Sequence, residues 1–223
     1  MTTPRLDVSL GELAARQPEA IDVLERFGLD YCCGGRQTLG EACEAGQVDP
    51  AVVQAALAAL AADAGVHWAE APLPALVAHL LAAFHAPHRL AFAHLRQQAA
   101  TVVEAHRVDP VWGPRLASLA ACLGGLADEL EHHMQKEERV LFPWICGGQG
   151  RNAGAPVRVL LSEHEHTAHQ LRTLRALAAD YQPPAGACTT LTAFFAGLAG
   201  LERALHEHMH LENNVLFPRA LAG

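Results

Sequence analysis

The string HMQKEERVLFP, residues 133 to 143, returns 75 residues later as HMHLENNVLFP, residues 208 to 218, with His, Met, Glu, Val, Leu, Phe and Pro in register. No other feature restricts the fold as strongly, because it makes the second part of the chain a pair of equivalent units. Within each copy a His and a Glu stand four residues apart, His133 with Glu137 and His208 with Glu212. One helical turn stacks such a pair on a single face. Leu126, Leu130 and Met134 continue that face upstream in the first copy, and Leu201, Leu205 and Met209 in the second. Apolar residues at that spacing turn the face toward an interior.

Helix signals dominate the remainder, and no convincing period-two strand pattern competes with them. Four long helices are predicted near 74–107, 110–145, 156–181 and 189–220, joined by RVDP, CGGQGRNAGAP and QPPAGAC. Long helices with short connections form an antiparallel four-helix bundle, here two helical hairpins in tandem. Pro87 is predicted to kink the first of them. Ahead of the bundle, Ser9 with Glu12 and Thr38 with Glu41 read as capping boxes. Asp49-Pro50, like Asp109-Pro110 in the bundle, reads as an N-cap followed by proline at the first helical position. Gly28 and Gly65 read as stops. The expectation is an all-α chain: a small helical domain over 1–64, a linker over 65–74 and the bundle over 75–223. The DYCCGGRQ segment becomes the loop between the second and third short helices.

A hydrophobic content of 51% supplies a core, while a net charge of −8, with Lys136 the sole lysine, offers no basic block. That balance argues against nucleic acid and anionic membranes as partners. No apolar stretch approaches the roughly 20 residues a membrane span needs, and residues 1–10 lack a signal-peptide pattern. Six cysteines without secretion features suit free thiols in a reducing compartment. A cytoplasmic protein is expected.

Two His-Glu pairs on opposing helices place two imidazoles and two carboxylates in one cavity. Burying them is costly unless something satisfies the charge, and a pair of metal ions does so. The other two helices add His85, after Leu80 and Leu81, and His164, after Leu160 and Leu161. Four imidazoles and two carboxylates suit iron better than calcium or magnesium, which prefer oxygen, or copper(I), which prefers sulfur. A lone His-x-x-x-Glu pair would be read as a solvated surface pair; the duplication argues otherwise. His206, Glu207 and His210 spell H-E-x-x-H, a zinc protease signature. The first copy has Glu131, His132 and Gln135 there, so that frame does not repeat.

The vicinal thiols Cys32 and Cys33 have Cα atoms about 3.8 Å apart, too close for an ordinary disulfide at roughly 4.4–6.8 Å. They also lack the C-x-x-C spacing of redox or zinc motifs.

Taken together, these residues resemble the iron–sulfur cluster repair di-iron proteins. The two HM-x-x-E…LFP segments, His85 followed by Arg89, and Glu163-His164 resemble that family's hemerythrin-like domain. FGLDYCCGG, followed by LGEAC ending at Cys43, resembles its N-terminal domain. The resemblance covers nearly the whole chain, Trp68 in the linker included. It implies two non-haem irons, oxo- and carboxylate-bridged, held by His85, His133, Glu137, His164, His208 and Glu212. It also implies a role in restoring iron–sulfur clusters damaged by nitric oxide or peroxide, by donating iron or by reducing nitric oxide. The implied partners are damaged or apo iron–sulfur proteins and small ligands such as nitric oxide or dioxygen.

The alternatives are a hemerythrin-like protein that binds or senses dioxygen or nitric oxide without turnover and a metal-free interaction protein. Three departures stand out: Phe84 replaces a usual Tyr, Pro87 is unexpected, and His169 stands where the family often has glycine. On this reading Cys32 and Cys33 form a thiol relay beside the irons, against the plainer reading of two small packed apolar groups. Gly34 and Gly35 let the backbone come close. A homodimer would bring four such thiols together. Glu129, one turn before His133, and Glu163, next to His164, are candidates for orienting an imidazole or carrying a proton. Cys43, Cys122, Cys146 and Cys188 are read as structural, and the remaining histidines as mostly solvated.

Overall fold

The computed structural model describes residues 4–60 and 67–223. Four short helices come first: α1 (Leu10–Arg16), α2 (Ala20–Arg26), α3 (Leu39–Ala45) and α4 (Pro50–Ala58). Their starts are chemical. The Thr38–Glu41 capping box forms in full, and Asp49 caps α4 by accepting from the Ala51 N–H. At α1 only half of the predicted box appears. Ser9 accepts from the Glu12 N–H, but the Glu12 carboxylate pairs with Arg16 instead. Gly28 stops α2 at φ +66°, and the Leu29 N–H reaches back to the Leu24 carbonyl, a left-handed ending that favours glycine. Gly65 and the first part of the expected linker lie outside the described residues.

The antiparallel four-helix bundle follows as expected. Its first helix is α5 (Leu73–Leu80), a π-helical turn (Leu81–His85) and α6 (Ala86–Ala105). The second is α7 (Trp112–Lys136), a π turn (Glu137–Leu141) and α8 (Phe142–Cys146). The third is α9 (Gly154–Leu177), uninterrupted. The fourth is α10 (Thr189–Leu211), a π turn (Glu212–Leu216) and α11 (Phe217–Ala222). Helix α6 packs on α7 and α10, and α9 on α7 and α10. Asp109 caps the second helix by accepting from the Val111 and Trp112 N–H groups, so that helix starts at Trp112 rather than at Pro110.

The three π turns share one cause. Each lies directly before an x-Pro pair, Ala86-Pro87, Phe142-Pro143 and Phe217-Pro218, and the residue before the proline donates to a carbonyl five residues back. Proline has no N–H and crowds the carbonyl four residues behind it. One extra residue in the turn relieves the clash, and such bulges recur at functional sites. Here one turn ends at His85, and the others begin at Glu137 and Glu212. Pro87 therefore sets the His85 backbone through a bulge.

A long apolar core fills the end of the bundle away from the π turns, with Phe194, Phe195, Leu119 and Leu123 fully buried. Phe194→Ala should cost about 3–5 kcal/mol of folding stability, read from urea unfolding midpoints. A change below about 1 kcal/mol would mean that this core is loosely packed.

The small domain docks over the other end, where α1 packs on the Glu212–Leu216 turn. Asn214 donates to the Tyr31 and Cys32 carbonyls, each at 3.1 Å. A Cβ on Gly11 or Gly35 would run into the Asn214 side chain. The two glycines are what let the CCGG loop sit down on the bundle. His206 Nδ1 meets Glu25 at 2.9 Å, and Arg203 pairs with Asp22 across the same seam.

Candidate metal centre

The six predicted side chains converge. His85, His133, Glu137, His164, His208 and Glu212 are all buried, the two carboxylates completely. They fall into two overlapping quartets, His85–Glu137–His208–Glu212 and His133–Glu137–His164–Glu212, whose ligand atoms lie within 4.8 Å of one another. Each carboxylate divides its oxygens between the quartets. Glu137 Oε2 lies 3.5 Å from His85 Nε2, and its Oε1 lies 3.4 Å from His133 Nε2. Glu212 Oε1 lies 3.1 Å from His208 Nε2, and its Oε2 lies 3.3 Å from His164 Nε2. One oxygen per histidine pair is the arrangement a bridging carboxylate needs.

Hydrogen bonds around the cage fix the imidazole tautomers. His85 Nδ1 meets Glu138 Oε1 at 2.8 Å, and His133 Nδ1 meets Glu163 Oε2 at 2.9 Å. His164 Nδ1 meets Asn213 Oδ1 at 2.6 Å. Asn213 uses its amide N–H on the Cys32 carbonyl at 3.2 Å, which assigns its Oδ1 as the acceptor. With those three Nδ1 atoms donating, the Nε2 lone pairs point inward. His133 and His164 then aim two lone pairs at each other across 3.0 Å, an arrangement that repels unless a cation lies between.

The buried atoms make the same demand. His85 Nε2, both nitrogens of His208 and all four oxygens of Glu137 and Glu212 lack a hydrogen-bond partner. Buried polar groups are normally satisfied, and six of these seven orphans, all but His208 Nδ1, face one cage, as metal ligands do. Burial and the charge of Glu212 push Glu137 well above the usual carboxylate range. Against its own burial, Glu212 is held down by His208 and His164. Bound cations would let both carboxylates ionise. The residues fit a dinuclear metal site.

Other expectations meet mixed outcomes. Glu163 orients His133 rather than its neighbour His164, and it also pairs with Lys136. Glu129 is exposed and bonds Gln170 and His166. Glu138 and Asn213 hold His85 and His164 and went unpredicted. Each follows its carboxylate by one residue, so the repeat itself carried the signal. Arg89 anchors Glu138 at 2.9 Å and Glu131 at 2.7 Å.

His88 and His210 differ from the solvated reading, being almost fully buried. Burial brings their pKa values down to about 3 and about 4, which keeps both neutral. Phe84 stacks on His208, ring centroids 5.3 Å apart, and walls the cage with carbon.

Glu163→Gln and Glu138→Gln should each weaken metal binding on the order of 10- to 100-fold, measured by competition with a chelator. Glu129→Gln should leave it unchanged. Equal effects at all three positions would refute the orienting roles.

The thiols of the CCGG loop approach the cage from the small domain. Cys33 Sγ lies 3.8 Å from the His164 carbonyl oxygen and 3.9 Å from Asn213 Nδ2. Cys32 is buried and Cys33 partly so. Asn213 thus touches a cage histidine with one end and the cysteine loop with the other.

Residues 76–220 match the family described as the hemerythrin HHE cation binding domain. Residues 6–61 match one described as a domain of unknown function, DUF542. Among curated proteins, the chain is 41% identical over 220 residues to the iron-sulfur cluster repair protein YtfE of Musicola paradisiaca, covering 96% of each chain. To the protein of the same name from Escherichia coli O157:H7 it is 40% identical over 218 residues, covering 97% of this chain and 98% of the relative. In the described residues no helix is long and apolar enough to cross a membrane. With the His/Glu cage built as found and both domains matched along the chain, this protein belongs to the YtfE family of hemerythrin-domain proteins.

Proposed function

We propose that this protein repairs iron–sulfur clusters damaged by oxidative or nitrosative stress, using two carboxylate- and oxo-bridged non-haem irons. The relatives it matches end to end are named for cluster repair. The observation that carries the reading is the division of Glu137 and Glu212 oxygens between two histidine pairs. His85 and His208 would hold one iron, His133 and His164 the other, and both carboxylates would span the pair. When bound, such irons supply open positions for a small diatomic ligand and a store of metal for transfer.

The chain's own residues prepare that chemistry. Glu138, Glu163 and Asn213 keep three imidazoles in the tautomer that presents Nε2 inward. Phe84, Phe142 and Phe217 line the cage side with rings packed on His208, His85 and His164, which keeps water scarce. Neutral His88, buried against His208 at 5.2 Å between ring centroids, adds no charge of its own. The docked small domain brings Cys32 and Cys33 to the cage as the proposed thiol relay. The division into residues 1–64, a linker over 65–74 and a bundle over 75–223 is supported by the two family matches. Partners on this reading are damaged or apo iron–sulfur proteins, with nitric oxide or dioxygen as small ligands, in the cytoplasm.

The test is reactivation. An enzyme whose [4Fe–4S] cluster has been damaged by nitric oxide should regain activity with the iron-loaded chain and not with Glu137→Ala/Glu212→Ala. Iron appearing in the acceptor marks donation, whereas nitrous oxide accumulating on turnover marks reduction. Reversible dioxygen binding with no reactivation would favour the sensor reading instead.

A further inference from the structure

Among the described residues, one other group of donor atoms beyond the His/Glu cage comes within ligand distance: Asp30, Cys32 and Cys33. Cys32 Sγ lies 3.9 Å from Cys33 Sγ and 3.3 Å from Asp30 Oδ1. The sulfurs are unbonded, since a disulfide would hold them about 2.05 Å apart. Two thiolates each about 2.3 Å from a tetrahedral cation sit about 3.8 Å apart, and a thiolate and a carboxylate oxygen about 3.5 Å apart. Both observed spacings are close to these values before any movement.

The loop holds this shape by means unconnected with sulfur. Asp30 Oδ1 accepts the Cys33 N–H at 2.9 Å, while Asn213 and Asn214 pin the Cys32 carbonyl. Cys32 and Cys33 also line a cavity of about 600 Å³ between the small domain and the bundle, with Glu12, Arg36 and Glu165 around it. The donors are therefore preset, partly shielded, and open on one side.

We propose that Asp30, Cys32 and Cys33 form a third cation site, taking one thiophilic divalent ion such as iron(II) or zinc. Two sulfurs and one carboxylate oxygen bind the ion, and its fourth position opens toward the cavity. Binding forms two cation–sulfur bonds, and the two displaced thiol protons pass to water. Soft sulfur donors select against magnesium and calcium. Asn213 bonds both the loop and His164, so the site is one side chain away from the cage. It is placed as a staging position for a metal passing between cage and cavity, which deepens the relay reading of the two cysteines and rests on it.

Cobalt(II) added to the full-length chain with its His/Glu cage already loaded is the probe. Thiolate-to-cobalt charge transfer in the near ultraviolet arises only from cysteine, so cobalt entering the cage is silent in that band. The expected result is saturation at about one cobalt per chain with two-thiolate intensity. Cys32→Ser should roughly halve the band, and Cys32→Ser/Cys33→Ser should abolish it. Asp30→Asn keeps an acceptor for the Cys33 N–H and so should preserve the loop, while lowering cobalt affinity on the order of 10- to 100-fold.

No thiolate band in the wild-type chain would overturn the site while leaving the cage reading intact. An undiminished band in the double serine variant would overturn it equally. A full wild-type band, with cluster repair surviving in the double variant, would support the site and remove the relay. Unchanged affinity in Asp30→Asn would overturn the three-donor geometry.

Discussion

Glu137→Ala or Glu212→Ala should strip metal from both halves of the cage, taking the iron content from about two per chain to well below one. His85→Ala or His133→Ala should chiefly empty one half. The asymmetry follows from membership: each carboxylate belongs to both quartets, whereas each histidine belongs to one. Stability should move in opposite directions with and without metal. In the loaded chain, losing a tightly bound metal removes about 4 kcal/mol for a ligand at a thousand times its Kd. In the metal-free chain, two fully buried carboxylates face each other with no hydrogen-bond partner. There Glu137→Gln should stabilise by about 1–3 kcal/mol, because it removes the cost of holding a buried carboxyl protonated at neutral pH. Urea midpoints with and without a chelator read both signs. A glutamine variant that is destabilised under both conditions would mean that the carboxylates serve the fold rather than a metal.

The second large effect belongs to the small domain. Cys32→Ser/Cys33→Ser should abolish reactivation of a damaged [4Fe–4S] enzyme while leaving iron content and dioxygen binding near wild type. The loop is held by carbonyl and carboxylate contacts from Asn213, Asn214 and Asp30, none of which needs sulfur for its strongest bonds. Serine should therefore keep the docked shape, with a stability change within about 1 kcal/mol. Repair at the wild-type rate would refute the relay and leave the cysteines as packing groups.

Much of this architecture was legible in the sequence because periodicity and repetition report on local geometry. The four bundle helices, the inward faces at Leu126/Leu130/Met134 and Leu201/Leu205/Met209, and the meeting of four histidines with two glutamates follow from i,i+4 spacing and a duplicated string. All six of those apolar residues are buried. The caps at Thr38 and Asp49 were equally local.

What sequence alone did not resolve is tertiary. Glu138 and Asn213 reach histidines 53 and 49 residues away, on other helices. Glu129 and Glu163 looked equivalent by nearness in sequence, yet only Glu163 faces an imidazole of the cage, while Glu129 meets the exposed His166. His88 lies one helical turn after Phe84 and His85 and shares their buried face, a spacing that the reading of the spare histidines as solvated passed over. The burial of His210 comes from the docked loop, whose Tyr31 carbonyl sits 3.4 Å from its Nδ1, and no bundle period reports that. The Leu-Phe-Pro of each repeat did encode the bulges, through a proline that cannot donate.

The most direct test of the dinuclear account is elemental analysis of the full-length protein purified without added metal. The account predicts about two irons per chain, falling together when Glu137 or Glu212 is replaced. A single zinc per chain, or no metal even after anaerobic reconstitution with iron(II), would contradict it.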